Sequence, residues 1–225
     1  MIVSIHQPDH LPWLPYFDKV KRSDTFVILD EAQYVKNKFM NRNRVRTSDG
    51  WTYITIPIEH GEHFKRIRDV RLPTSSDWRK KILRTLEMNY SRAPFFLMYR
   101  SFFDELYRAD ITHLSELNIT IIRYLTEVFD MNAQLVRASD LPLDHKLKGT
   151  EWLISILNYL GATNYISGPS GRQYLDLRQF ERESIKVEFQ QYEHRVYTQR
   201  FPGFVPGLSA ADLLFNCGPK AASYI

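Results

Sequence analysis

The chain has 225 residues, 44% of them hydrophobic, and a formal net charge of +4 with its seven histidines neutral. That length and apolar content build a core of ordinary size and exclude a disordered chain. No run reaches the roughly 18 apolar residues of a membrane span, and a lone cysteine, Cys217, excludes an internal disulfide and a multi-cysteine zinc site.

The opening MIVSI is apolar and β-branched, as in a buried strand near residues 1–6. Pro8 ends that strand, because a proline in a central strand removes a ladder donor. His6, Gln7, Asp9 and His10 are therefore expected at its carboxyl end, the edge where open α/β sheets bind ligands. LPYFDKVKRS then starts a helix, with its proline tolerated in the first turn. TFVILD is a continuous apolar run and predicts a second parallel strand near 25–30, with Asp30 beside His6. VRTSDGWTYITIPI carries an Asp-Gly turn between a short strand and an alternating one, the pattern of a hairpin.

From Asp77 the period becomes helical: SSDWRKKILRTLEMNYS, FFLMYRSFFDELYRA and THLSELNITIIRYLTEVFD predict three helices, a helical insertion over 77–131. Their aromatic stripe, Phe95, Phe96, Tyr99, Phe102, Phe103 and Tyr107, reads as core at helical spacing. QLVRAS, GTEWLISILNYLG, NYISG, DLRQFERES and IKVEFQQY then alternate strand and helix. With no linker or repeat, the expectation is one α/β domain over 1–225, a mainly parallel sheet from strands near 1–6, 25–30, 134–138 and 164–167.

Two stretches carry chemistry besides the opening one. KNKFMNRNRVRT mixes Lys36, Lys38, Arg42, Arg44 and Arg46 with three asparagines, donors suited to phosphate or carboxylate. The plainer reading is a solvated strand with outward arginines. In NYISGPSGRQYLD, Ser167, Gly168, Ser170, Gly171 and Arg172 could let an anion approach backbone N–H groups at a helix start. Neither GxxxxGKS nor GxGxxG is present, SGPSG fails the GxSxG elbow, and His6 and His10 straddle Pro8 and share no helix face, so no metal site is assigned. The basic balance, pI 9.1, is not spread into the broad aromatic-lined surface that a long nucleic acid needs. Cysteine usage and the absence of a signal-like start predict a cytoplasmic protein.

HQPDHLPWLPYFDKV, FVILDEAQYVKNKFMNRNRVRTSDGWTYITIPI, LNITIIRYL, YISGPSGRQYLD and FVPGLSAADLLFNCGP, in this order and over almost the whole chain, resemble the WbqC-like family of bacteria. The resemblance implies a place in O-antigen and other surface-polysaccharide biosynthesis, with glycyl or other acyl transfer to an amino sugar. Partners would be a nucleotide-linked amino sugar and a small acyl or amino-acid donor, with no nucleic acid. It implies catalytic roles for His6, Asp30 and Lys38 and substrate contacts from Gln7, Gln33, Asn41, Arg42, Asn43, Arg44, Ser167, Gly168 and Ser170, to which the loop reading adds Gly171 and Arg172. Where the family often has tyrosine and asparagine, this chain has His10 and Asp9. The start is also similar to nucleotidylyltransferase-like folds, whose HxGH signature binds ATP phosphates; here the motif is HxxxH without the glycine, and ATP is one candidate for activating the donor. A non-catalytic sugar-nucleotide binding or assembly factor, and more distantly a nucleic-acid-binding protein, are the alternatives.

Overall fold

A computed structural model describes all residues, 1–225. Its centre is a parallel sheet. β1 (Ile2–His6) leads through α1 (Leu14–Lys21) to β2 (Thr25–Ile28), and the two strands pair in parallel with His6 opposite Ile28. Alternation then divides the side chains. Phe26 and Ile28 face one core, whereas Val3, Ile5 and Val27 face the other, as a strand period of two requires.

An antiparallel hairpin follows, β3 (Arg42–Thr47) and β4 (Gly50–Thr55), turning at Ser48-Asp49 with Gly50 paired to Thr47. The strand begins earlier than the hydrophobic pattern indicates, and the reason is in its pairing. Asn43 and Val45 point into the core, while the intervening Arg42 and Arg44 lay their guanidinium groups over Tyr53 and Trp51, each 4.2 Å from the ring centre. The plainer reading of the arginine run, an outward strand face, describes Arg42 and Arg44, whereas Arg46 is buried and donates to the carbonyls of Thr47, Gly50 and Pro202.

Three helices, α2 (Asp77–Tyr90), α3 (Phe96–Arg108) and α4 (Leu114–Val128), occupy the predicted insertion. They share their core with the sheet: Phe17 of α1 meets Phe129, and Phe103 meets Phe215. That single cluster holds 39 buried residues, so the helices are fastened to the sheet and do not form a separate core. Phe96, Tyr99, Phe103 and Tyr107 are buried in it, as the stripe predicts.

The chain then returns to the sheet with β5 (Gln134–Arg137), α5 (Gly149–Tyr159), β6 (Asn164–Ser167), α6 (Leu177–Arg182) and β7 (Lys186–Phe189). Strand order is β5-β2-β1-β6-β7, all parallel, which adds a fifth strand to the four expected. A last helix, α7 (Ala210–Cys217), was not marked by the apolar run alone; Ser209 caps it, accepting from the Ala211 N–H at 3.2 Å. Progress along the sheet runs outward one way through β2 and β5 and the other way through β6 and β7. The reversal lies between β1 and β6, so a crevice is expected at their carboxyl ends.

Candidate functional site

A cavity of about 790 Å³ opens at that switch point, within the usual range for small-molecule sites. His6 and Gln7 from the end of β1, and Gly168 and Ser170 after β6, form one part of its wall. The residues after β2 supply Glu31 and Gln33, and the start of α5 supplies Lys148, Gly149 and Trp152. Phe64 and Arg66 reach it because their segment docks on the chain after β2: Tyr34 N–H donates to the Lys65 carbonyl, Ile67 N–H to that of Ala32, and Arg68 N–H to that of Asp30.

His6 has its side chain about 31% exposed, at the boundary between cavity and core. Its Nδ1 lies 3.1 Å from the Gln7 carbonyl oxygen and 3.8 Å from Asp9 Oδ2. A carbonyl only accepts, so Nδ1 carries the proton in that bond and Nε2 keeps its lone pair. Burial, and then the Lys19 ammonium, hold this imidazole well below the usual histidine range, so it is neutral near pH 7. Tyr16 supports the ring edge-on with centroids 4.9 Å apart.

Glu31 organises another wall. Its carboxylate, with 4% side-chain exposure, accepts from Arg66 at 2.8 Å and from His145 Nδ1, and forms an ion pair with Arg68 at 2.9 Å. His145 in turn meets the Trp152 ring edge-on. Lys148 is exposed and immediately precedes α5, whose first turn has no side-chain cap. Two aromatic side chains stand free at the rim, Phe64 with 87% and Tyr174 with 61% of its surface exposed.

Of the residues singled out from the sequence, His6, Gln7, Gln33, Gly168 and Ser170 meet at this cavity. Asp30 sits just after β2, as expected, with its carboxylate turned to Ser139, accepting from the backbone N–H at 3.1 Å and the hydroxyl at 2.7 Å, and it does not line the cavity. Asn41 and Asn43 are buried and spend their amides on backbone, Asn41 on Ile56 and Asn43 on His10 and Leu11. Arg42 and Arg44 lie on the hairpin, Lys38 is exposed in the preceding turn, and none of the three lines the cavity. Ser167 is buried, with its hydroxyl 3.2 Å from the Gly168 carbonyl. The Gly171 N–H donates to that same carbonyl at 3.0 Å, so it is spent within the loop, and Arg172 stacks on Phe189.

The HxxxH pair also separates. His10 is fully buried, with Nδ1 2.9 Å from Asn118 Oδ1 and Nε2 3.1 Å from the Tyr107 hydroxyl. It cannot join His6 on a phosphate. For an ATP-type ligand the donors left at the cavity are Lys148, Arg66 and Ser170, not the arginine run. A second cavity of about 800 Å³ lies between α2 and α3. Two of its four arginines are committed, Arg79 to the carbonyls of Ala109 and Ile111 and Arg100 to Glu87 and Asp104, while Arg84 and Arg108 are not.

Sequence reading missed Glu31, Phe64, Arg66, His145, Lys148, Trp152 and the buried Lys19. Only Lys19 left a usable signal: three residues after Tyr16 in an eight-residue helix, it falls on the apolar face. The others converge from segments far apart in the chain.

The WbqC-like protein family model matches residues 7–224, and the chain belongs to that family. It is similar to the uncharacterized protein Rv1507c of Mycobacterium tuberculosis, 37% identical over 227 aligned positions that cover 99% of this chain and 96% of the relative. No solved structure matches it. No helix is long and apolar enough to cross a membrane.

Proposed function

We propose that this WbqC-like protein transfers an acyl or aminoacyl group to the amine of a nucleotide-linked amino sugar during surface-polysaccharide synthesis. The observation that carries the reading is the His6 imidazole, its Nδ1–H spent on the Gln7 carbonyl, opening onto a cavity of sugar-nucleotide size at the sheet's switch point. A free ring nitrogen matters because the nucleophile is an amine. Its nitrogen lone pair attacks the carbonyl carbon of an activated donor, and the resulting ammonium must lose a proton before the tetrahedral adduct collapses and expels the leaving group. Nε2 of His6 is the unengaged proton acceptor at the cavity wall.

The rest of the lining suits the two halves of such a substrate. Gln7, Gln33 and Ser170 offer amide and hydroxyl groups for a sugar, Lys148 and Arg66 offer charge for a diphosphate, and Phe64 and Tyr174 offer ring faces for a base. The donor is either glycine or a related acid activated with ATP, or an acyl thioester supplied ready-made. Mass analysis distinguishes these. The purified protein is incubated with UDP-linked amino sugars and each donor system, and the sugar is examined for the added acyl mass. His6→Gln should lower the rate by about 10²-fold or more while preserving the fold. Retained nucleotide-sugar binding without any acyl gain, under every donor, would replace this reading with that of a binding or assembly factor.

A further inference from the structure

A second imidazole lines the cavity, on the wall built around Glu31. His145 stands on the loop before α5, with its side chain about 29% exposed. Its Nδ1 bonds to Glu31 Oε2, and a carboxylate only accepts, so Nδ1 carries the proton there. In the uncharged ring the lone pair is then on Nε2, which no other group of the protein engages. Several contacts fix this orientation. Glu31 Oε1 meets Arg66 at 2.8 Å and Arg68 at 2.9 Å, which leaves Oε2 to His145 alone. Arg66 also reaches the His145 carbonyl at 3.5 Å, and the imidazole rests edge-on against Trp152 with ring centres 5.3 Å apart. The contrast with His6 is chemical. There Nδ1 meets a carbonyl at 3.1 Å, and the Asp9 carboxylate stands off at 3.8 Å. A carbonyl has no charge to set against an imidazolium, whereas a carboxylate has.

Acylating an amino sugar removes two protons from its nitrogen, not one. An aliphatic amine with a pKa of about 8, like an α-amino group, reaches the site near pH 7 mostly as ammonium, with no lone pair to attack. We infer that His145 takes this first proton on Nε2, with Glu31 as its positioning residue, while His6 takes the second from the tetrahedral adduct. The freed nitrogen pair forms the C–N bond. The bond from the carbonyl carbon to the leaving group then breaks with its electrons on the leaving group, and His6 passes the second proton to that group or to water. The first proton leaves the part-exposed His145 for solvent. Ammonium and activated acyl donor thus give amide, leaving group and two protons, one of which the leaving group can keep. The Glu31 carboxylate faces the charge that the His145 ring holds in between. This assignment rests on the acyl-transfer reading and divides its proton transfers between two walls of the cavity.

The choice of acceptor separates the two protons. Hydroxylamine is weakly basic, arrives with its lone pair free and needs only the second proton removed. Acyl gain is followed by mass with a UDP-linked amino sugar, and with hydroxylamine in the presence of UDP, the enzyme-free reaction being subtracted. His145→Gln should lower kcat with the amino sugar by about 10²-fold and with hydroxylamine by less than about threefold, whereas His6→Gln should impair both. Glu31→Gln should share the His145 pattern at about tenfold, because the ring keeps an acceptor for Nδ1–H but loses the charge beside it. A merely structural role for His145 would lower both rates alike. Equal losses on the two acceptors, or no loss, overturn the inference and leave the acyl-transfer reading standing. Absence of transfer by the wild-type protein to either acceptor overturns that reading and this inference with it. Should His145→Gln not fold, the ¹⁵N shifts of wild-type His145, assigned through its contacts with the Trp152 ring, decide: a protonated Nδ1 supports the inference, and an unprotonated Nδ1 overturns it.

Discussion

Replacing Gly171 with alanine separates packing from ligand binding in the loop after β6. A Cβ there would overlap Ser167 Oγ and stand 3.1 Å from Leu175 Cδ1 and 3.2 Å from Phe189 Cε1. Inserting a methyl group into such a fitted position costs about 1–3 kcal/mol. Ser167 can relieve part of the overlap by rotating, at the expense of its bond to the Gly168 carbonyl, about 0.5–1.5 kcal/mol. Gly171→Ala should therefore lose about 2–4 kcal/mol, and Ser167→Ala about 1 kcal/mol. Together they should cost less than their sum by about 1 kcal/mol or more, because the second substitution removes the atom that the first one strikes. Urea denaturation with unchanged m values measures this cycle, and binding of a UDP-linked amino sugar is read on the same proteins. Strict additivity would refute the steric argument. Loss of sugar-nucleotide affinity in the folded double variant would restore the loop backbone as an anion cradle.

Phe64→Ala and Tyr174→Ala remove exposed rings at the cavity rim, so each should weaken UDP-linked sugar binding, by about 1 kcal/mol in calorimetry, while the melting temperature stays constant. Arg42→Ala and Arg44→Ala should do the reverse, each costing about 0.5–1 kcal/mol of stability in urea through the lost stacking and leaving that binding unchanged. Asp212 is buried, accepts from Tyr197 at 2.7 Å and is pushed up to about 6 by burial. Between its unfolded range near 4 and that value the native protein binds the extra proton, so this group's contribution to stability falls as pH rises. Asp212→Asn should flatten the decline by up to about 3 kcal/mol, and parallel stability–pH curves for the two proteins would exclude the effect.

The sheet was legible because its signals are local. MIVSIH and TFVILD each carry their strand character within six residues, and Pro8 marks where the first must stop, which places His6 at the carboxyl edge. The arginine run is harder to read for a related reason. Arg42 and Arg44 stack on Tyr53 and Trp51 on the hairpin's outer face, whereas Arg46, at the same period of two, is buried beside Phe201 and donates to the carbonyls of Thr47, Gly50 and Pro202. Composition cannot separate such roles from phosphate binding, since cation–π stacking and phosphate binding call for the same guanidinium groups.

The charged wall of the cavity was illegible for a different reason, the distance along the chain over which it is assembled. Glu31 meets Arg66 across 35 positions and His145 across 114, and none of these residues has a distinctive local pattern. The asparagines show the converse. Asn43 looks like a polar site residue in a linear reading, yet it secures the carbonyls of His10 and Leu11, as Asn118 does those of Pro8 and Met40. Both therefore hold the loop after β1 in place from beneath. That loop carries His6 at the cavity and buries His10 four residues later, so the stretch that looks most like a catalytic pair divides into one side chain free to face a ligand and one that fixes the backbone supporting it.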